Sequence, residues 1–126
     1  MTFAHLSLLL LLFLNLFCAA YAKKLAGFQM QDNHQPRELL AHASGKAARA
    51  NAAQQNGHEI FAPYAAAIIL ASASPAAPAV VNGWAALFLL SRVVYIWCYV
   101  QDKATARSLV WGLGLICIIA LFIVAG

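Results

Sequence analysis

The stretch FAHLSLLLLLFLNLFCAAYA, from Phe3 to Ala22, contains no Asp, Glu, Lys or Arg. A run of about 20 such residues is the length a helix needs to cross the hydrocarbon core of a bilayer. Two further runs have the same character: Ala79 to Val100, interrupted by Arg92 alone, and Leu109 to Ala125, with no charged residue. In a chain of 126 residues, 63% hydrophobic and only 10% charged, that much apolar surface cannot be hidden in a soluble core. The composition therefore places the chain among all-α integral membrane proteins, with room for one domain, residues 1–126.

A fourth span is required by the polarity of the ends but is marked less plainly. Ile60 to Ala73 is mostly apolar and covers about 21 Å at about 1.5 Å per residue, short of the roughly 30 Å core. Counting back from Ala73 to a full span reaches Gln54. The polar stretch Gln54, Gln55, Asn56, His58 and Glu59 must then enter the membrane itself, with Glu59 about 8 Å below the surface. Polar groups at that depth face protein or water, not lipid. The expected spans are about 3–22, 54–73, 79–100 and 109–125, joined by charged loops 23–53 and 101–108. The alanine-rich HASGKAARANAA favours helix, so the second long helix is expected to begin between Leu39 and Ser44 and to project before entering.

Charge sets the orientation. Lys23, Lys24, Arg37, Lys46 and Arg49 lie between the first and second spans, and Lys103 and Arg107 between the third and fourth. The connection SASPAAP, Ser72 to Pro78, has none. The positive-inside rule puts both charged loops in the cytoplasm and both termini outside, giving a four-helix bundle that is N-out and C-out. The alternative for the first run is a signal peptide cleaved at Ala20 to Ala22. It lacks a positive leading segment, and cleavage would leave Lys23 and Lys24 on the wrong side, so the run is read as a span.

The three cysteines, Cys18, Cys98 and Cys117, all sit in apolar runs, their number is odd, and no metal-ligand spacing occurs. They read as small buried hydrophobes. The polar residues of the spans are more informative. Arg49, Ala52, Asn56, Glu59 and Pro63 recur at three or four residues and share a helical stripe. Arg92, Tyr95, Tyr99, Asp102 and Lys103 make a second stripe, and Arg107 opens the last span. Arg92 lies about 12 Å below Val100 and needs a partner; Glu59 is at a matching depth, and the two are expected to pair, directly or through a neighbour. A pair of this kind can serve only to hold helices together. The whole set reads further. Several cations, one carboxylate, amides and two phenols converge on a cavity open to the cytoplasm, which suits a small zwitterion with excess negative charge. A cation over a bound thiol also favours the nucleophilic thiolate.

Plainer readings stand beside these. Tyr95, Tyr99 and Trp97 suit an interfacial aromatic belt, and Lys103 and Arg107 suit topology signals. His58 points about 100° from Glu59 on a helix and reads as solvated, as do His34 and His42. Asp102 reads as an ion-pair partner for the basic residues beside it. Gly112 and Gly114 suit close packing of the last helix.

The two stripes carry a resemblance. Arg49, Ala53, Gln54, Asn56 and Glu59, followed by FAPYAAAIILA, and then Arg92, Tyr95, Tyr99, Lys103, Arg107 and Ser108, are similar to the motifs of the MAPEG family. These are the membrane-associated proteins of eicosanoid and glutathione metabolism, and the likeness runs along essentially the whole chain. It implies a homotrimer in which each site lies between neighbouring subunits near the cytoplasmic face. It implies glutathione as thiol co-substrate, held by Arg49, Gln54, Asn56, Glu59, Arg92, Tyr95, Tyr99 and Lys103, with Arg107 near the sulfur and no metal. The implied function is a glutathione-dependent transferase or peroxidase acting on apolar electrophiles or lipid hydroperoxides from the bilayer. The alternative is a non-catalytic lipid-binding or scaffold protein of the same fold. In a bacterium the location is the inner membrane. Two departures stand out. Ala52 replaces an arginine of many relatives, a loss of about 1.5–3 kcal/mol for one charged hydrogen bond, with Arg49 and Lys46 as candidates to replace it. The spacing from Tyr99 to Arg107 differs by about one residue from some relatives. A small multidrug exporter, the third reading, needs a carboxylate in the first span, where this chain has Asn15.

Overall fold

The computed structural model describes residues 1–126, all of them helix or short connection, with no strand. Five α-helices follow one another: α1 (Phe3–Leu25), α2 (Pro36–Ala41), α3 (Gly45–Ala73), α4 (Pro78–Val100) and α5 (Ala104–Ala125). A 3₁₀ turn, Met30–His34, precedes α2. Three helices are long and apolar enough to cross a membrane: α1, α4 and α5. α3 is the longest, at 29 residues, but its first half carries the amides and charges of the polar stretch. Length and apolarity thus mark three of the four expected spans.

The segment expected as the first loop, 23–53, is largely helical. α1 runs on to Leu25, α2 is a separate short helix, and α3 starts at Gly45, one residue past the expected range. Two chain reversals share one geometry. At the end of α1, Gly27 (φ 75°) turns the chain while the Phe28 N–H donates to the Lys23 carbonyl and the Gly27 N–H to that of Lys24. At the end of α4, the Lys103 N–H donates to Cys98 and the Asp102 N–H to Tyr99. Both are Schellman caps, which need a left-handed residue after the helix. In the second, Asp102 takes that conformation (φ 59°) where glycine would be unstrained.

α3 and α4 each pack against the other three long helices, while α1 and α5 lie on either side of that central pair. The chain runs up and down. The Ala4 N–H at the start of α1 donates to Asn82 Oδ1 near the start of α4. Arg49 Nε near the start of α3 donates to the Val100 carbonyl at the end of α4. The ends of α1 and α4 and the starts of α3 and α5 therefore gather at one end of the molecule, the charged one.

Packing relies on small residues. Ala50, Gly57, Tyr64 and Ala71 of α3 are all buried and spaced by seven, with Ala53 and Ala67 between them. That seam lets backbones approach closely, as membrane helix pairs require. At Gly57 the approach is closest: a Cβ there would run into the Asn15 carboxamide of α1. Gly114 of α5 is buried against Ser91 and Phe88, whereas a Cβ at Gly112 would meet nothing within the chain. Toward the uncharged end, Tyr64 stacks on Phe88 with ring centroids 3.9 Å apart, and its hydroxyl meets Ser7 Oγ at 2.5 Å. Outside this core, Leu16, Phe17, Ile69, Leu90, Leu109 and Ile123 stay exposed. Such an outer surface is suited to lipid and not to water.

Candidate functional site

The charged end of α4 carries three aromatic platforms, each under a cation. The Arg92 guanidinium lies 4.1 Å from the Tyr95 ring centroid, that of Arg107 lies 4.4 Å from Tyr99, and Lys103 Nζ lies 5.5 Å from Trp97. Tyr95 and Tyr99, one turn apart, meet edge to face at 5.7 Å. Arg92, Tyr95, Tyr99 and Arg107 thus form one continuous stack from the buried middle of the molecule to its charged end. Each cation over a ring is worth about 0.5–2 kcal/mol. The Schellman turn at Asp102 reverses the chain so that Arg107, on the first turn of α5, falls back over Tyr99.

Arg92 is 2% exposed, the largest buried side chain in the protein. Its Nη2 donates to Asn56 Oδ1 at 2.9 Å, and its Nε has no partner. A direct pairing with Glu59 is therefore not what the structure builds. Asn56 reaches Arg92 on α4, while Glu59, three residues on, is exposed and lines a cavity toward α2. The partner is a neutral amide, half-buried beside buried Gly57.

Two separate cavities divide the expected site residues. The first, about 220 Å³, is lined by Asn56, Tyr95, Tyr99, Arg107, Ser108 and Trp111. It brings together four expected residues, with Arg92 behind them. Trp111 is an addition; it lies one turn after Arg107 on α5, so helical spacing alone could have revealed it. The second, about 450 Å³, lies between α2 and α3 and holds Arg37, Leu40, Ala41, Asn51, Gln54, Gln55, His58 and Glu59. Gln54 Nε2 donates to Asn51 Oδ1 at 3.0 Å across its wall. Arg37, Asn51 and His58 were not expected here. Arg37 is distant in sequence, and only the folding of α2 onto α3 brings it in.

Two expected ligand-binding residues lie elsewhere. Arg49 is directed to the Val100 carbonyl at 3.3 Å, where it satisfies an end-of-helix acceptor of α4. Lys103 is exposed over Trp97 and lines neither cavity. Asp102, read as an ion-pair partner, serves the backbone turn. Pro63 stands within α3 and has no N–H to give to the Glu59 carbonyl four residues earlier. No cluster of His, Cys, Asp or Glu has the arrangement of a metal site. Cys18, Cys98 and Cys117 are free and buried, as read from the sequence.

The chemistry of the first cavity is that of an anion site with an apolar side. Arg107 presents a permanent cation, Asn56 an amide and Ser108 a hydroxyl, while Trp111 turns one wall apolar. The second offers one guanidinium, one carboxylate and several amides, a set of groups that suits a zwitterion. The family model described as the MAPEG family matches residues 1–126. Neither the curated proteins nor the solved structures contain a match to this chain.

Proposed function

The chain belongs to the MAPEG family, and on that premise we propose that it is a membrane-bound glutathione-dependent transferase or peroxidase. The observation that carries the reading is Arg107. Its guanidinium is stacked on Tyr99 at 4.4 Å, at the edge of a cavity that also offers Asn56 and Ser108. The sulfur of glutathione is the nucleophile in this chemistry, so the protein needs none of its own. Arg107 lowers the cost of the thiolate by placing a fixed cation beside it. Tyr99 holds that cation in place, Asn56 fixes the peptide, and Trp111 faces the apolar electrophile or hydroperoxide. Transfer forms a carbon–sulfur bond and expels the leaving group with its electron pair.

In this reading α3 is the fourth span and the charged end faces the cytoplasm. Glu59 and Gln55 are exposed on α3 just before its apolar half. A carboxylate at that depth is costly against lipid and acceptable against protein. A homotrimer that packs this face against a neighbouring copy removes the cost. It also joins the two cavities, one from each subunit, into a single site for a ligand with both a thiol and a zwitterionic end. The division of the site residues between two open cavities favours such a shared site.

The test is stopped-flow absorbance near the thiolate band after mixing detergent-purified protein with glutathione, alongside Arg107→Ala. A rise that is lost in the variant supports the reading. No signal at millimolar glutathione overturns it and leaves a lipid-binding scaffold. Light scattering of the detergent complex checks the trimer; a monomer of full activity would sink the shared site.

A further inference from the structure

We propose, resting on the glutathione reading, that Arg37 supplies the carboxylate-binding cation of the α2–α3 cavity. It does the work left undone at Ala52, and it makes the short helix α2 a ligand-binding element and not only a connector. Neither of the two residues that sequence alone offers as replacements lines the cavity. Arg49 is directed to the Val100 carbonyl, and Lys46 is exposed and does not line the cavity. Arg37 does line it. It is the one permanent cation there, as Glu59 is the one carboxylate.

The cavity has the size and donor set for the task. Its volume of about 450 Å³ lies within the usual range for small-molecule sites, roughly 300–1,000 Å³. A ligand with a carboxylate for Arg37 and an ammonium for Glu59 meets complementary charge at both ends. Asn51 and Gln54, already bonded to each other at 3.0 Å, offer their remaining amide atoms to a peptide group between those ends. Arginine suits the role because its planar fork matches a carboxylate with two parallel hydrogen bonds.

α2 is anchored well enough to hold that cation. Leu40, one turn after Arg37, is 6% exposed and packs with Ala22, Ala50 and Val100 at the charged ends of α1, α3 and α4. Pro36 at the first position of α2 fixes the start of the helix. The guanidinium is therefore carried by a helix that packs against α3.

Isothermal titration calorimetry on the detergent-purified full chain tests this, using glutathione and its two mono-amides, each with one carboxylate blocked. The variants are Arg37→Ala, Arg37→Lys and, as a control, Lys24→Ala, an exposed charge outside the cavity. The expected result is glutathione binding at least about tenfold weaker in Arg37→Ala, less so in Arg37→Lys and unchanged in Lys24→Ala. One mono-amide should bind the wild type about tenfold more weakly than glutathione does, yet be indistinguishable from it in Arg37→Ala. Equal glutathione affinity in wild type and Arg37→Ala, or an equal loss in Lys24→Ala, overturns the assignment and leaves the glutathione reading standing. No binding by the wild type at millimolar glutathione removes both.

Discussion

Arg92 of α4 donates to Asn56 of α3 across 2.9 Å at the buried centre of the molecule, and the same asparagine lines the cavity beneath Arg107. One amide thus serves helix packing and also lines that cavity. Truncating it leaves a buried guanidinium short of an acceptor, a loss of about 1–3 kcal/mol or more for a charged group. Asn56→Ala should lower the unfolding temperature in detergent, and Arg92→Leu added to it should recover part of the loss. Arg107→Ala should scarcely move it, because Arg107 is only half-buried. Equal thermal shifts for Asn56→Ala and Arg107→Ala would show that Asn56 has no packing role.

Gly57 presses on Asn15, whose Oδ1 and Nδ2 are both buried without a partner. Gly57→Ala should destabilise the protein by about 1–3 kcal/mol, the usual cost of overpacking. Asn15→Ala removes the obstructing amide and an unsatisfied polar group together, so the double variant should be more stable than Gly57→Ala alone. Additive losses in thermal unfolding would contradict the contact.

Asp102 occupies a left-handed position at which a side chain is strained, by up to about 1–2 kcal/mol. Asp102→Gly should therefore be neutral or raise the unfolding temperature, despite glycine's greater freedom in the unfolded chain. Asp102→Val should lower it. Because the turn sets where Arg107 falls, the glycine variant should keep the thiolate signal, and a glycine variant that loses the signal would point to a direct role for the carboxylate.

Tyr99 carries Arg107 on its ring face. Tyr99→Phe keeps the face and should retain most of the thiolate signal. Tyr99→Ala removes about 0.5–2 kcal/mol of cation–π attraction and should weaken the signal several-fold. If Phe fails as badly as Ala, the hydroxyl matters more than the ring, and the stack is incidental to the chemistry.

The sequence by itself determined the class of protein and offered the candidate site residues. Runs such as Phe3–Ala22 are long and apolar enough to demand a membrane, and clustered lysines and arginines at one set of ends demand that those ends share a side. Helical spacing was enough to group Tyr95 with Tyr99 and Arg92, because residues three and four apart on one helix are neighbours whatever surrounds them. Which helix faces they met was not legible. Asn56 and Glu59 have the same spacing logic and similar polarity, yet one turns to Arg92 and the other outward. The packing of Ala50, Ala53, Gly57 and Tyr64 against α1, α4 and α5 fixes the rotation of α3, and with it their fates. Arg37 and Arg49 show the same limit at longer range. The stripe on α3 favoured Arg49, but the end of α4 takes its guanidinium for a carbonyl. Arg37 reaches the cavity only because Leu40 docks α2 beside α3. Contacts between residues far apart in the chain depend on how helices rotate and dock, and that is settled by the fit of their buried faces, not by the local pattern on any one of them.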